Sequence, residues 1–408
     1  IAAILPDQTA DAIYKELTAR NSFRYISRRV LPEQAKRIND LGEPAITLER
    51  EPERLYPNLN LAAHVLGYAV DGAGKVGIEK AFDGTLSDPA TRGTPMHLSI
   101  DARVQQALES ELTAVMIDQR ADGAGGIVLD VDTGEVIAMA SLPDFNPNAP
   151  GQSDPSTYYN KVTYGVYELG STFKTLTIAM ALDAGVVTSM SQMFDASRPL
   201  RIAGYTIHDG HALNRAQTVP EIFIHSSNIG TARIASALGR DRQRVYLERL
   251  GFFQKAPIEL PERANPQYPP LANWGELATM TIAYGHGLAI SPLHMASAYA
   301  AVVNGGILRP ATLLRVEPGK QVPGTRVFSQ ATSDTMRAML RLVVTDGTGR
   351  KANAAGYRVG GKTGTAEKLA GGRYVKGANV STFAAAFPMD KPRYVIIATV
   401  DDPKGSKS

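Results

Sequence analysis

Gly126-Ile127-Val128-Leu129-Asp130-Val131-Asp132-Thr133-Gly134-Glu135-Val136-Ile137-Ala138-Met139-Ala140-Ser141 is the stretch whose reading decides the fold. Two apolar, β-prone runs, residues 126–132 and 135–141, meet at Asp132-Thr133-Gly134, the strongest short hairpin signal in the chain. Far downstream, residues 357–361, 380–387 and 393–400 supply three more strand-like runs. The residues between these β groups read mainly as helices: residues 171–184 closed by Gly185, a segment after Ser226 ending near Gly239, and residues 292–303 and 333–344. Strands at both ends of a helical region predict an α+β fold. One antiparallel five-stranded sheet is completed late by the C-terminal strands, with flanking helices and an inserted helical subdomain. A cleft between sheet and insert is the natural place for a site.

Upstream, a short strand over residues 97–101 runs into a helix capped by Asp101. Val104, Leu108, Leu112, Val115 and Met116 recur there at helical spacing, on a core-facing side. Residues 1–96 are mixed and turn-rich, and predict an accessory α+β domain. Residues 97–408 form the second domain.

The 408 residues are 44% hydrophobic and 20% charged, which excludes disorder and a small disulfide-stapled fold. There is no cysteine, so thiolate metal sites, Fe–S clusters and thiol catalysis are excluded. Forty-three Lys and Arg against forty Asp and Glu are interspersed along the chain, and nucleic acid is not expected as a partner. No run approaches the roughly 20 apolar residues of a membrane helix.

Three short motifs occur in order. Ser171-Thr172-Phe173-Lys174 is S-x-x-K, Ser226-Ser227-Asn228 is S-x-N, and Lys362-Thr363-Gly364-Thr365 is K-T-G-T. Ser171 opens an apolar helix, where backbone N–H groups and the helix dipole favour developing negative charge. Lys174, three residues on, shares its face. Burial and cationic neighbours lower a lysine pKa, and the neutral amine can then take the serine proton. Such chemistry requires the Lys174 nitrogen within hydrogen-bond reach of the Ser171 oxygen. Read singly, Ser171 could equally be a helix cap and Lys174 a solvated side chain.

Ser226 and Asn228 are two residues apart, a spacing that does not share a helix face. Both enter one cleft only from a turn or a helix start, although Ser and Asn before a helix also suit a plain N-cap. In the strand carrying Lys362, side chains alternate, so Thr363 and Thr365 share one face and Lys362 and Gly364 the other. If the threonine face lines the cleft, Thr363 can bind a carboxylate. The backbone N–H groups of Thr365 and Ser171 can then form an oxyanion hole. Gly361 and Gly364 leave room for close approach. Alternatively, Lys362 could protect a sheet edge. His208-Asp209-Gly210-His211 suggests a metal site but lacks a third ligand, and reads as a loop. His225, His286 and His294 read as structural histidines, and Trp274 as packing.

Taken together, these motifs resemble the class B penicillin-binding proteins, the monofunctional peptidoglycan D,D-transpeptidases, and among them the septal, cell-division type. The resemblance extends to Arg54-Leu55-Tyr56-Pro57, His64-Val65-Leu66-Gly67-Tyr68, Gly77-Ile78-Glu79, Ala138-Met139-Ala140-Ser141-Leu142-Pro143, and Tyr284-Gly285-His286-Gly287 before Ser291-Pro292-Leu293. Leu169 stands where many relatives carry proline. The resemblance implies an elongated N-terminal pedestal over residues 1–96 and a transpeptidase domain over residues 97–408. It implies catalytic Ser171, Lys174, Ser226, Asn228 and Lys362, substrate-binding Thr363, Gly364 and Thr365, and an oxyanion hole at Ser171 and Thr365. No cofactor or metal is implied. Implied partners are stem peptides ending in D-Ala-D-Ala, β-lactams as covalent inhibitors, a membrane glycosyltransferase and divisome proteins. An inner-membrane anchor with a periplasmic catalytic domain is expected in the full-length protein. Competing readings are an elongation-type transpeptidase, a hydrolase such as a D,D-carboxypeptidase or serine β-lactamase, and a non-catalytic β-lactam sensor or divisome binding module. A class A-type Glu-x-x-x-Asn element for a hydrolase is not found, since Glu276-Leu277-Ala278 lacks the asparagine.

Overall fold

The computed structural model describes residues 1–405 apart from residues 20–22, 29, 51–52, 92 and 371–372. The chain divides into two compact units, Ile1–Glu53 and Arg54–Ser408. In the first, helices Ala10–Leu17 and Pro32–Asn39 accompany a small core in which Ile1, Ile26, Val30 and Ile46 pack on Ile4, Leu5 and Ile38. Thr9 caps the first helix by accepting from the Ala12 N–H.

The second unit is built on a five-stranded antiparallel sheet. Its strands are β1 (Gly123–Asp130), β2 (Val136–Leu142), β3 (Gly360–Ala370), β4 (Arg373–Phe387) and β5 (Tyr394–Asp401). Their spatial order is β3-β4-β5-β1-β2. The hairpin that opens the sequence reading is therefore β1–β2, and the late strands complete the sheet beside it. Every residue of β1 is buried, as its near-continuous apolar sequence requires of a strand covered on both faces.

One cover is helix α1 (Ala102–Asp118), started by Asp101, whose carboxylate accepts from the Arg103 N–H. At Gly126 a side chain would run into Leu108 and Leu112 of α1, so small residues in β1 let that helix close on the sheet. The other faces of the core are met by α2 (Phe173–Asp183), α3 (Asn228–Leu238), α4 (Pro292–Val303) and α5 (Gln330–Asp346). In α2 every residue from Phe173 to Ala181 is buried. A helix apolar all round belongs at the centre of a domain, and this one carries Lys174 at its start.

The helical expectations therefore hold in α2 to α5, while the K-T-G-T strand begins at Gly360 rather than at Tyr357, and both strands of its hairpin extend beyond the expected runs toward the connecting turn. The short strand expected over residues 97–101 reduces to an isolated bridge between Leu98 and Leu314. Residues 54–96 pack within the second unit. They carry a small hairpin, Tyr68–Val70 with Ala73–Val76, and an ion pair of 2.5 Å between Arg54 and Glu79. The Tyr56 N–H donates to Asn148 Oδ1 at 2.9 Å, fixing this segment to the loop after β2.

Leu176 is fully buried in α2. Leu176→Ala is expected to cost about 2–5 kcal/mol of stability through lost burial and the cavity left behind, measured as a shifted urea midpoint.

Candidate active site

The S-x-x-K segment enters the core through a tight turn. Gly170–Thr172 is a single 3-10 turn ahead of α2, with Gly170 at φ +53°. The Thr172 hydroxyl donates to Leu169 O at 2.8 Å. The Tyr299 hydroxyl, reaching from α4, donates to Thr172 O at 2.9 Å. The turn is thereby fixed from both sides, with Ser171 half-buried at its centre.

Main chain packs directly on main chain around it. A β-carbon on Gly170 would lie 2.5 Å from Thr365 O, one on Gly364 2.4 Å from Leu169 O, and one on Gly285 2.1 Å from Gly170 O. The nucleophile turn is thus sandwiched between β3 and the Tyr284–Gly287 loop. The contact also sets the Ser171 and Thr365 backbones beside each other, where an oxyanion hole would have to form.

The S-x-N segment is a corner between two helices. Helix Val219–Ile224 ends with Ser226 at φ +59°. The Ser227 N–H donates to Ile222 O at 2.9 Å and the Ser226 N–H to Phe223 O at 3.3 Å. This is the left-handed helix termination at which glycine is usual, so a serine there holds backbone strain of the kind found at functional sites. Ser227 then caps α3 by accepting from the Gly230 N–H at 2.9 Å. The change of direction at the corner brings Ser226 and Asn228 to the same side.

Lys174 and Lys362 are both fully buried. Lys174 Nζ donates to Ser226 O at 2.5 Å and to Asn228 Oδ1 at 2.7 Å, and its third contact is the Ser226 hydroxyl, with Oγ at 3.0 Å. Lys362 Nζ donates to the same Ser226 Oγ at 3.0 Å and to Thr363 O at 3.1 Å. One hydroxyl is therefore shared by two amines. Burial, and next the charge of Lys362, hold Lys174 well below the ordinary lysine range, with Asp209 opposing. Burial pushes Lys362 down to about 7. A neutral Lys174 has two N–H donors and one lone pair. Ser226 O and Asn228 Oδ1 can only accept, so the lone pair falls to the Ser226 hydroxyl, which in turn accepts from Lys362.

The three motifs thus converge, with one difference from expectation. Among the described residues the Ser171 hydroxyl forms no hydrogen bond, and Lys174 turns to the corner at Ser226 instead. Two carbonyl oxygens and the Ser226 hydroxyl hold the amine there, against one half-exposed hydroxyl at Ser171. On β3 the alternation is as expected: Lys362 and Gly364 are buried, Thr363 is half-buried and Thr365 exposed. The Thr363 hydroxyl meets that of Thr348 at 2.8 Å.

The sequence reading left out Glu168, Tyr374 and any role for His286 beyond structure. Glu168 is buried immediately before the turn. It accepts from the Gly287 N–H at 2.8 Å and the Tyr374 hydroxyl at 2.9 Å, and pairs with His286 Nδ1 at 3.1 Å. The His286 ring stacks between Tyr374 and Tyr205, with centroids 5.2 and 6.4 Å away. Burial works to raise the Glu168 carboxyl, yet its hydrogen bonds outweigh burial and hold it below the usual range. The hydrogen bond to Glu168 raises His286. An acid next to the motif was the only available signal. His294 caps α4 with Ser291 and contacts Gln254 O, and Trp274 is fully buried against Gln243. Among the described residues no group of three His, Cys, Asp or Glu side chains could hold a metal ion.

Residues 124–408 match the family model of the penicillin binding protein transpeptidase domain. The chain belongs to the penicillin-binding transpeptidase family. It is 42% identical over 387 residues to the probable peptidoglycan D,D-transpeptidase FtsI of Caulobacter vibrioides, spanning 92% of this chain and 65% of that relative. It is 32% identical to the peptidoglycan D,D-transpeptidase FtsI of Escherichia coli K12, over 95% of this chain and 69% of that one. Among solved structures, penicillin-binding protein 3 of Mycobacterium tuberculosis complexed with ampicillin superposes with a TM-score of 0.78 at 29% identity, covering 87% of this chain and 85% of that one. Within the penicillin-binding transpeptidases these similarities are to class B members of the septal type.

Two pH dependences follow from the site. Lys362 carries a depressed folded pKa, so the unfolded chain binds more protons between about pH 7 and about pH 10, and stability rises across that window. Lys362→Met is expected to melt above the parent at about pH 7, with the advantage closing toward about pH 10, measured by thermal denaturation. His286 is raised and Glu168 lowered. Their pairing is complete between about pH 4.5 and about pH 6.5, fades above as His286 loses its proton, and fades at acid pH as Glu168 gains one. His286→Gln should therefore lower Tm more at about pH 6 than at about pH 8.5.

Proposed function

We propose that the chain is the extracytoplasmic part of a septal peptidoglycan D,D-transpeptidase, with Ser171 as its nucleophile. The observation that carries this reading is the meeting of three distant segments: buried Lys174 and Lys362 share the Ser226 hydroxyl, Lys174 also binds Asn228, and the turn carrying Ser171 packs on Thr365. Residues 97–408 are assigned to the transpeptidase domain and residues 1–96 to the pedestal.

The donor is a stem peptide ending in D-Ala-D-Ala, its carboxylate held by Thr363, Thr365 and the charge of Lys362 beneath. Ser171 Oγ attacks the penultimate carbonyl, and its proton passes to neutral Lys174 as the lysine lone pair swings from the Ser226 hydroxyl to Ser171 on donor binding, a catalytic hydrogen bond of the kind that tightens only in the complex. The backbone N–H groups of Ser171 and Thr365 hold the oxyanion. Ser226, linked to both amines, delivers a proton to the departing D-Ala. An amine from a neighbouring stem peptide then attacks the Ser171 ester, releasing the serine and forming the cross-link. Asn228 holds Lys174 through its carbonyl oxygen and can offer its remaining N–H to the donor peptide.

β-Lactams fit the same reading as acylating agents of Ser171. Among the described residues no helix is long and apolar enough to cross a membrane, and the proposal places the inner-membrane anchor outside them. A membrane glycosyltransferase and divisome proteins are the partners proposed for the full-length protein.

Incubation with penicillin is expected to add one adduct to Ser171, seen by peptide mass spectrometry, that persists for hours. Transfer of a stem-peptide thioester donor to a D-amino acid should accompany it. Ser171→Ala should abolish both reactions while its Tm stays near that of the parent. Rapid adduct loss would indicate a hydrolase, and an adduct without transfer a sensor; either would contradict the proposal.

A further inference from the structure

The His208–His211 loop, which suggests a metal site in sequence, does something else in the structure. Asp209 Oδ2 accepts from the Ser227 hydroxyl at 2.8 Å, and its Oδ1 accepts from the Ile229 N–H at 2.9 Å. His208 O accepts from Asn228 Nδ2 at 2.9 Å. Three consecutive residues, Ser227, Asn228 and Ile229, are therefore tied to two consecutive residues of one loop.

The loop itself is anchored. It follows the hairpin Leu200–Ile202 and Tyr205–Ile207, and Ile207 is 2% exposed in a cluster with Ala196, Ile229, Ala232 and Met280. The residue before His208 is thus packed against the helix start that Asp209 holds.

Two consequences reach the reacting groups. A backbone carbonyl can only accept, so His208 O fixes the direction of the Asn228 amide: its NH2 faces the loop and its oxygen faces Lys174, at 2.7 Å. Asp209 satisfies the Ile229 N–H, one of the unpaired donors of the first turn of α3, and orients Ser227 so that its oxygen caps Gly230. That helix start lies next to Ser226, whose left-handed backbone persists only where neighbours over-determine it.

We propose that Asp209 is a positioning residue of this active site: with His208 O it latches the Ser226–Asn228 corner and thereby sets where the Lys174 amine is held. The residue touches neither donor nor nucleophile and acts through Ser227, Asn228 and Lys174. The proposal rests on the transpeptidase reading of the site. Charge adds a second effect, separable from the first. The charged groups facing Lys174 are Lys362 from β3 and Asp209 from the loop, and Asp209 raises the basicity that Lys362 and burial lower. Removing the carboxylate charge makes Lys174 easier to deprotonate, while removing the side chain loosens the corner.

The test uses the 408-residue chain and benzylpenicillin as the probe. Rates of Ser171 acylation are followed by mass spectrometry from about pH 6 to about pH 10 for the parent, Asp209→Asn and Asp209→Ala. Asp209→Ala is expected to lower the plateau rate about tenfold or more, with the adduct still on Ser171. Asp209→Asn keeps the shape and one acceptor, so its plateau should stay within a few-fold while the rising limb moves to lower pH. A merely structural residue would lower stability without moving that limb. In parallel, hydrogen exchange at the Ile229 amide should lose protection in Asp209→Ala and retain it in Asp209→Asn. Parent-like rates and pH profile in both variants, or unchanged Ile229 protection in Asp209→Ala, would overturn the latch. If the parent itself is not acylated at Ser171, the transpeptidase reading fails and with it the positioning role, whatever the exchange at Ile229 shows.

Discussion

Two lysine amines buried against a single serine hydroxyl are the constraint on which the rest of this site depends. An isolated ammonium taken out of water is costly, and a protein interior tolerates it only by supplying acceptors or by letting it lose its proton. Lys174 has both. Three oxygens surround its nitrogen, and burial and the nearby Lys362 hold its pKa well below the usual range. Lys362, with Ser226 Oγ and Thr363 O as acceptors, is pushed down to about 7 by burial. The result is a base made from a group that is ordinarily an acid at neutral pH.

That arrangement needs rigid surroundings, because a shift of the corner by an ångström would expose the amines or separate them. Rigidity comes from backbone packed on backbone. Gly285, Gly170 and Gly364 leave no room for side chains between the Tyr284–Gly287 loop, the nucleophile turn and β3. Glu168, just ahead of the turn, ties it to the same loop through Gly287 and His286 and to β4 through Tyr374. The sheet and the helical insert are therefore joined at the site itself.

The parts of this that were legible in the sequence are those set by local pattern. Alternation and a turn signal located the hairpin over residues 126–141, and helical periodicity located α2, α4 and α5 to within a few residues. The three motifs were legible because each carries its chemistry in adjacent letters, and the awkward spacing of Ser226 and Asn228 correctly required a corner. Asp209 and Glu168 were not assigned roles, because each acts through partners distant in sequence, which no periodicity encodes. The Lys174 contact differed for the same reason: helical spacing puts it on the face of Ser171, but the competing acceptors come from residues more than fifty positions away. What such spacing cannot reveal is which of two nearby oxygens binds an amine more strongly.

The most direct test of the account is the ionisation of Lys174 itself, read by NMR of the side-chain nitrogen in protein carrying 15N-labelled lysine, with the resonance assigned through Lys174→Arg. The account predicts a titration midpoint displaced well below the ordinary lysine value of about 10.4. An ammonium resonance at about pH 7 that titrates near the ordinary lysine value of about 10.4 would contradict it.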